Sequence, residues 1–257
     1  MFFENYDMRI CSDKIDLVPL MESFDELFSR RGFDREEIAM TAAGPIVAWS
    51  RMAGEARPTV YLSAGMHGDE PAGPLAIEAF WREQDPREVN WLICPILNPT
   101  GIQARTRDNA EGMDLNRDYL LQRSLEVRAH AAWLEKQVVP DLFLSLHEDW
   151  ETEGFYFYEI SLGEDQPYRA RRILDEVRTV CPIEKNRRID DHEVREEGWI
   201  HHEPQADFPD SWPEAIFLAK RGCPLSFTFE TPSCALPLAQ RISAQGAAIR
   251  AAMDEIR

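Results

Sequence analysis

Apolar residues in this chain fall into short continuous runs separated by stretches of helical period. The runs lie at 44–50, 58–65, 90–97, 141–147, 154–160 and 224–230. Several are apolar at successive positions, the pattern of central strands covered on both faces. Between them lie helix-like segments at 71–84, 124–138 and 167–180, with an early one at 21–30 and a last one at 238–256. Ser124 has the chemistry of a helix cap, with Glu126 close behind, and Leu238, Ile242, Ile249, Met253 and Ile256 share one face of the last helix. Strands alternating with helices predict an α/β fold, a mixed, largely parallel central sheet with helices on both faces, folded as one domain over 1–257. Residues 182–213 break the pattern. They are rich in charge, Pro and His, and read as an irregular insertion or lid.

In open α/β sheets ligands gather at the carboxyl ends of strands. The run 58–65 leads to His67, the run 141–147 ends on His147, and the run 224–230 ends on Glu230. His67 and Glu70 lie three residues apart, close enough to share one ion across a turn. Alone they read more readily as a solvated turn than as half of a metal site. Gly65 and Gly68 favour the second reading, because they permit a sharp turn and a close approach. A hydrolytic zinc site needs three protein ligands and an open position, and His147 would complete the set. No H-E-x-x-H occurs, so the helix-borne protease signature is absent. Beyond the run 90–97, a loop rich in Gly, Asn and Asp carries Arg105, Arg107, Asn116 and Arg117. Guanidinium groups bind carboxylates in a fork, so this loop is expected to meet an acidic ligand group.

Charge and cysteine content narrow the partners. The formal charge of −18 opposes binding to nucleic acid and to anionic membrane surfaces. No apolar run approaches a membrane span, and the N-terminus has no basic start or leader-like core, so a cytoplasmic protein is expected. The five cysteines, Cys11, Cys94, Cys181, Cys223 and Cys234, are scattered and read as reduced buried thiols.

The motifs HGDE, NPTG, TRDN, DLNR, SLHED and FTFETP occur in that order. Together they resemble the zinc carboxypeptidase family, the carboxypeptidase A-like metallopeptidases, and especially short bacterial members. These are related to the murein-peptide amidases and the succinylglutamate desuccinylase/aspartoacylase group. The resemblance spans about residues 44 to 250. It implies the phosphorylase/hydrolase-type α/β/α sandwich of that family and one Zn²⁺ held by His67, Glu70 and His147. It also implies that Glu230 is the general base, that Arg107 rather than Arg105 polarises the scissile carbonyl, and that Asn116 and Arg117 grip a substrate carboxylate. The implied reaction is hydrolysis of an amide or peptide bond next to a free carboxylate. The substrate is then a small peptide, or an N-acyl amino acid if the chain is instead a deacylase of the desuccinylase/aspartoacylase type. An inactive zinc- or peptide-binding module is the third reading.

The chain also departs from the family. The digestive enzymes carry a mobile tyrosine shortly before the general base, whereas here no tyrosine follows Tyr168. Tyr156 and Tyr158 are placed to reach a pocket or to serve an ordinary strand. Asp141, Glu148 and Asp149 flank the His147 strand end, and one of them is expected to orient a ligand imidazole. His130 reads as a surface or satisfied helix residue. His192, His201 and His202 read as loop residues, with contact to substrate or a second metal as the alternative. Asp69 has no assigned task.

Overall fold

The computed structural model describes residues 13–256. The N-terminal stretch examined for a leader, with Cys11, lies outside them. An eight-stranded sheet has the order β1-β2-β4-β3-β5-β10-β6-β9. Its strands are β1 (Asp34–Thr41), β2 (Gly44–Arg51), β3 (Thr59–Ala64), β4 (Asn90–Cys94), β5 (Leu142–Asp149), β6 (Tyr156–Ser161), β9 (Trp199–His201) and β10 (Leu225–Pro232). A separate hairpin joins β7 (Arg188–Ile189) to β8 (His192–Glu193). The central strands β4, β3, β5 and β10 run parallel, β2 and β6 are antiparallel to their central neighbours, and β9 runs parallel to β6.

The helices are α1 (Leu17–Arg30), α2 (Ala72–Glu83), α3 (Pro99–Ala104), α4 (Leu125–Lys136), α5 (Pro167–Arg178), α6 (Glu214–Lys220) and α7 (Leu238–Met253). Alternation along each strand sends side chains to two buried layers. Val60, Leu62, Leu142, Leu144, Phe227 and Phe229 join one core with residues of α1, α2, α5 and α7. Tyr61, Leu92 and Phe143 join the other with α4 and α6. The mixed, largely parallel sheet with helices on both faces is therefore as the apolar runs predict. The strand β1 and the helix α6 escaped the pattern. β1 is exposed or half-buried throughout because it is an edge strand, so it shows no apolar run. The buried face of α7 is built mainly of Ala244, Ala247, Ala248, Ala251 and Ala252 rather than the large residues alone, which suits its packing against α2 and α5.

Insertion residues 182–213 contribute β7, β8 and β9, and β9 extends the sheet beyond β6. No helix of the described residues is long and apolar enough to cross a membrane. Cys94, Cys181 and Cys223 are buried free thiols. Cys234 is disulfide-bonded, which corrects the expectation that all cysteines are reduced. Its isolated position in the sequence carried no sign of this, since pairing depends on which segments the fold brings together.

The turn after β3 is shaped by two glycines for different reasons. Gly65 has φ +62°, a left-handed conformation that a side chain disfavours. Gly68 lies so close to the start of α3 that an added Cβ would sit 1.8 Å from the Gly101 carbonyl carbon. Its amide donates to the Thr106 carbonyl at 2.9 Å. The substitution Gly68→Ala must push two backbones apart. It is expected to destabilise the fold by about 3 kcal/mol or more, measured by denaturant unfolding.

Candidate metal centre

Parallel pairing places the site at the carboxyl edge of the sheet. Glu230 on β10 is in register with His147 on β5, and with Tyr156 on β6 at its other side. His67 and Glu70 come from the turn between β3 and α2, next to β5. His67, Glu70 and His147 are all buried, and each offers a ligand atom within 4.8 Å of the others.

The atoms that converge are the Nδ1 nitrogens of both imidazoles and both oxygens of one carboxylate. His67 Nδ1 lies 2.7 Å from Glu70 Oε1, His147 Nδ1 lies 2.9 Å from Glu70 Oε2, and the two Nδ1 atoms are 3.2 Å apart. His67 Nε2 faces Asp114 Oδ1 at 3.0 Å. A carboxylate only accepts, so Nε2 carries the proton and, in the neutral ring, Nδ1 presents a lone pair to Glu70. Buried lone pairs facing one another repel unless a cation or a proton lies among them. Two imidazoles and a carboxylate are the donors that zinc takes, and they leave room for a further ligand. The residues present therefore fit a metal ion.

Electrostatics agree with this arrangement. Burial opposes the charge on Glu70, but the adjoining imidazoles hold its carboxyl well below the ordinary value. Burial likewise opposes the Asp114 charge, yet the hydrogen bond from His67, with Arg107 and Arg117 nearby, keeps its carboxyl well below the usual range. His67 is raised, because Glu70 and Asp114 outweigh its burial. His147 is lowered, chiefly by burial. Glu230 is raised well above the ordinary value by burial, then by the charges of Glu70 and Asp149, with Arg107 opposing.

Arg107 and Arg105 separate clearly. Arg107 reaches the cluster, with Nη1 3.4 Å from Glu70 Oε1 and Nε 3.1 Å from Asp114 Oδ2. Arg105 is the exposed left-handed cap of α3, with φ 58°. Asn98, buried completely, explains the NPTG motif. Its side chain accepts from the Gly101 amide at 2.8 Å and donates to the carbonyls of Met66 and Arg107, each at 3.3 Å. One amide thus ties the segment before His67 to the segment bearing Arg107.

Arg117 is exposed, and Asn116 is half-buried with its Oδ1 accepting from the Glu214 amide at 3.0 Å. Behind that amide lies a chain of buried hydrogen bonds. Tyr61 and Ser63 donate to the Glu214 carboxylate at 2.7 and 2.8 Å. Tyr61 Oη, having given its proton to Glu214, accepts from His130 Nε2 at 2.7 Å, and His130 Nδ1 accepts from Tyr119 at 2.7 Å. His130 is therefore satisfied and fully buried, with burial lowering it to about 3. Burial raises the Glu214 carboxyl to about 7, against the pull of the two hydroxyls.

The expected orienting carboxylates were misplaced. Asp141 Oδ2 accepts from the Thr59 amide, Asp149 Oδ2 from Tyr156 Oη, and Glu148 from the Ala72 amide and the buried Arg241. Asp114, in the DLNR motif, is the carboxylate that meets an imidazole. It lies remote in sequence from either histidine, so adjacency along the chain pointed to the wrong acids. Tyr156 and Tyr158 share the face of β6 beside Glu230, with ring centroids 5.8 Å apart, while Phe155 and Phe157 turn into the core. Asp69 is exposed, its carboxyl is raised by desolvation and the Glu70 charge, and it makes no hydrogen bond to another described side chain.

Known proteins with the same features agree with the geometry. Residues 56–152 match the model of the succinylglutamate desuccinylase/aspartoacylase catalytic domain. A presumed metallopeptidase of Shewanella denitrificans superposes with TM-score 0.83 at 26% identity, over 94% of this chain and 90% of that one. These likenesses support a zinc carboxypeptidase-like family for the chain. Carboxypeptidase SOL1 of Arabidopsis thaliana is 35% identical over 102 residues, which is 31% of this chain and 21% of that protein. The chain thus matches about a fifth of the length of this curated relative. A metallo-carboxypeptidase of Pseudomonas aeruginosa, solved with (2-guanidinoethylmercapto)succinic acid, shares the fold at TM-score 0.62 and 20% identity, covering 92% of this chain and 69% of that one. Such metallopeptidase neighbours imply a metal cofactor, and His67, Glu70 and His147 are a candidate site for it.

Replacing Asp114 with Asn removes the acceptor that holds His67 in its tautomer. Metal affinity is expected to fall about 10–100-fold, read by competition with a chromophoric chelator. The Glu214 network predicts a pH effect. Its folded value near 7 lies above the unfolded one, so its contribution is complete below about pH 4.5 and is lost as pH rises to 7. Between pH 5 and 8 the wild type should lose on the order of 3 kcal/mol relative to Glu214→Gln, measured by urea unfolding at each pH.

Proposed function

We propose that the chain is a zinc-dependent metallocarboxypeptidase that hydrolyses an amide or peptide bond next to a free carboxylate. The observation that carries this reading is the position of Glu230. Its carboxylate is partly open, in register with His147 beside the ion-ready cluster, and makes no hydrogen bond to another described residue. The rest of the chain is one catalytic domain in this reading, with 182–213 forming part of the rim.

His67, Glu70 and His147 would hold the ion. When bound there, zinc lowers the pKa of water toward about 7 and polarises a carbonyl as a Lewis acid. Glu230 takes the proton of the attacking water and returns it to the leaving amine, one carboxylate acting first as base and then as acid. Its raised pKa suits the second role, since burial and the neighbouring carboxylates favour the protonated form that donates to the leaving amine. Arg107, anchored by Asp114 and half exposed, neutralises charge developing on the carbonyl oxygen. Arg117 and Asn116 hold the substrate carboxylate, and the Glu214 amide fixes the Asn116 side chain with its oxygen inward and its NH₂ free to donate. Tyr156 and Tyr158 form the wall beside Glu230, in the absence of any later tyrosine.

The match of residues 56–152 to the desuccinylase/aspartoacylase model supports a second reading, an N-acyl-amino-acid deacylase using the same residues. The succinic acid derivative belongs to the Pseudomonas aeruginosa protein. A carboxylate-bearing substrate is nevertheless the class that Arg117 and Asn116 fit in either reading.

Glu230→Gln is expected to keep its metal and lose about 10²–10⁴-fold in kcat, with KM little changed. A panel of dipeptides, muropeptides and N-acyl amino acids, followed by amine release, separates the readings. Cleavage confined to N-acyl amino acids would replace the peptidase by the deacylase, and undiminished activity in Glu230→Gln would remove Glu230 from its role.

A further inference from the structure

We propose that His192, His202 and Asp207 form a second metal site, for a divalent transition ion of the zinc class, that fastens the insertion 182–213 to the edge of the sheet. The three residues share no ligand with the first centre, and their ligand atoms all lie within 4.8 Å of one another. They come from separate segments. His192 opens β8, directly after the turn residues Asp190 and Asp191, whose φ values of 46° and 65° force the hairpin to fold back. His202 follows β9, and its amide donates to the Glu159 carbonyl of β6 at 2.8 Å. Asp207 belongs to the loop that leads to α6.

The hydrogen bonding prepares the site for a cation. His202 Nδ1 lies 2.6 Å from the Glu203 carbonyl oxygen. A carbonyl only accepts, so Nδ1 carries the proton and Nε2 of the neutral ring presents its lone pair. A backbone carbonyl in this position is the usual outer partner of a metal-bound imidazole. The Nε2 lone pair faces Asp207 Oδ1 at 3.3 Å, and His192 Nε2 faces Asp207 Oδ2 at 3.5 Å. Two ligands each about 2.0–2.1 Å from a tetrahedral ion stand about 3.3–3.4 Å apart, so the spacing is that of ligands around one ion. Two imidazoles and a carboxylate favour zinc over calcium or magnesium, which prefer oxygen donors.

Packing holds the two rings in place. The centroids of His192 and His202 are 4.8 Å apart, and both present T-shaped contacts to Tyr158 at 5.5 and 6.0 Å. Tyr158 Oη in turn donates to Asp190 Oδ2 at 3.1 Å. Side-chain exposures of 24% for His192, 12% for His202 and 51% for Asp207 leave the outer side open to a water ligand. An ion here would join the hairpin, the end of β9 and the 203–213 loop. These segments pack beside Tyr158, on the face of β6 that also carries Tyr156 and borders Glu230.

The test uses the full chain, stripped with a chelator, reconstituted with excess zinc, and freed of loosely held ion. Metal content is measured by mass spectrometry and the ligand field by cobalt(II) absorption. The wild type is expected to hold two equivalents. His192→Ala/His202→Ala and, independently, Asp207→Asn should each hold one, and His67→Ala/His147→Ala should also hold one. Zinc should slow proteolysis within residues 203–213 several-fold in the wild type and in His67→Ala/His147→Ala. It should have no such effect in His192→Ala/His202→Ala. The equivalent retained by that variant reports that it is folded. The proposal is overturned if the wild type saturates at one equivalent that His67→Ala/His147→Ala loses, as it would if His202 were simply an imidazolium paired with Asp207. It is overturned equally if His192→Ala/His202→Ala keeps two. A failure of the first centre would look different, with His67→Ala/His147→Ala holding as much zinc as the wild type.

Discussion

The constraint on which the site depends is a carboxylate wedged between two imidazole nitrogens at 2.7 and 2.9 Å, in a position buried from water. Such a group is costly to bury unless positive charge compensates it. Its surroundings are arranged for that compensation. Asp114 turns the His67 lone pair inward, Arg107 borders Glu70 and Asp114, and Glu230 stands close enough to feel the Glu70 charge.

The backbone supplies the precision. Asn98 and Gly68 bring the β3–α2 turn, α3 and the Arg107 segment into contact at separations that leave no space for a Cβ. On the other side, α7 buttresses the His147 strand. Gln245 Nε2 donates to the His147 carbonyl at 2.8 Å, and the buried Arg241 pairs with Glu148 and Asp13. Burial raises the Glu148 carboxyl to about 7 even against Arg241, so this pair is held by geometry under electrostatic load. Removing either member would leave an uncompensated buried group.

The parts of the fold legible in the sequence are those with strong local signals. Central strands appeared as continuous apolar runs because both their faces are covered, and His147 and Glu230 stood out because those runs end on them. The edge strand β1 gave no run, since it buries little. The helix α6 was obscured by the irregular stretch before it. Asn98 and Asp114 lay inside motifs that were seen, yet their tasks were not readable. Each acts on residues distant along the chain, and a side-chain amide or carboxylate carries no mark of its partner.

The order of apolar runs determined the fold class, and the HGDE turn with His147 and Glu230 at the ends of two such runs singled out candidate reactive groups, because these follow from periodicity and side-chain chemistry. Only the tertiary structure decided which nitrogen of each histidine faces Glu70, that Arg107 and not Arg105 reaches the cluster, and that His130 is locked in a buried network. It alone gathered His192, His202 and Asp207 around one point. Those outcomes depend on strand register and on loops packed against one another, and distances across the fold are not encoded at any single position.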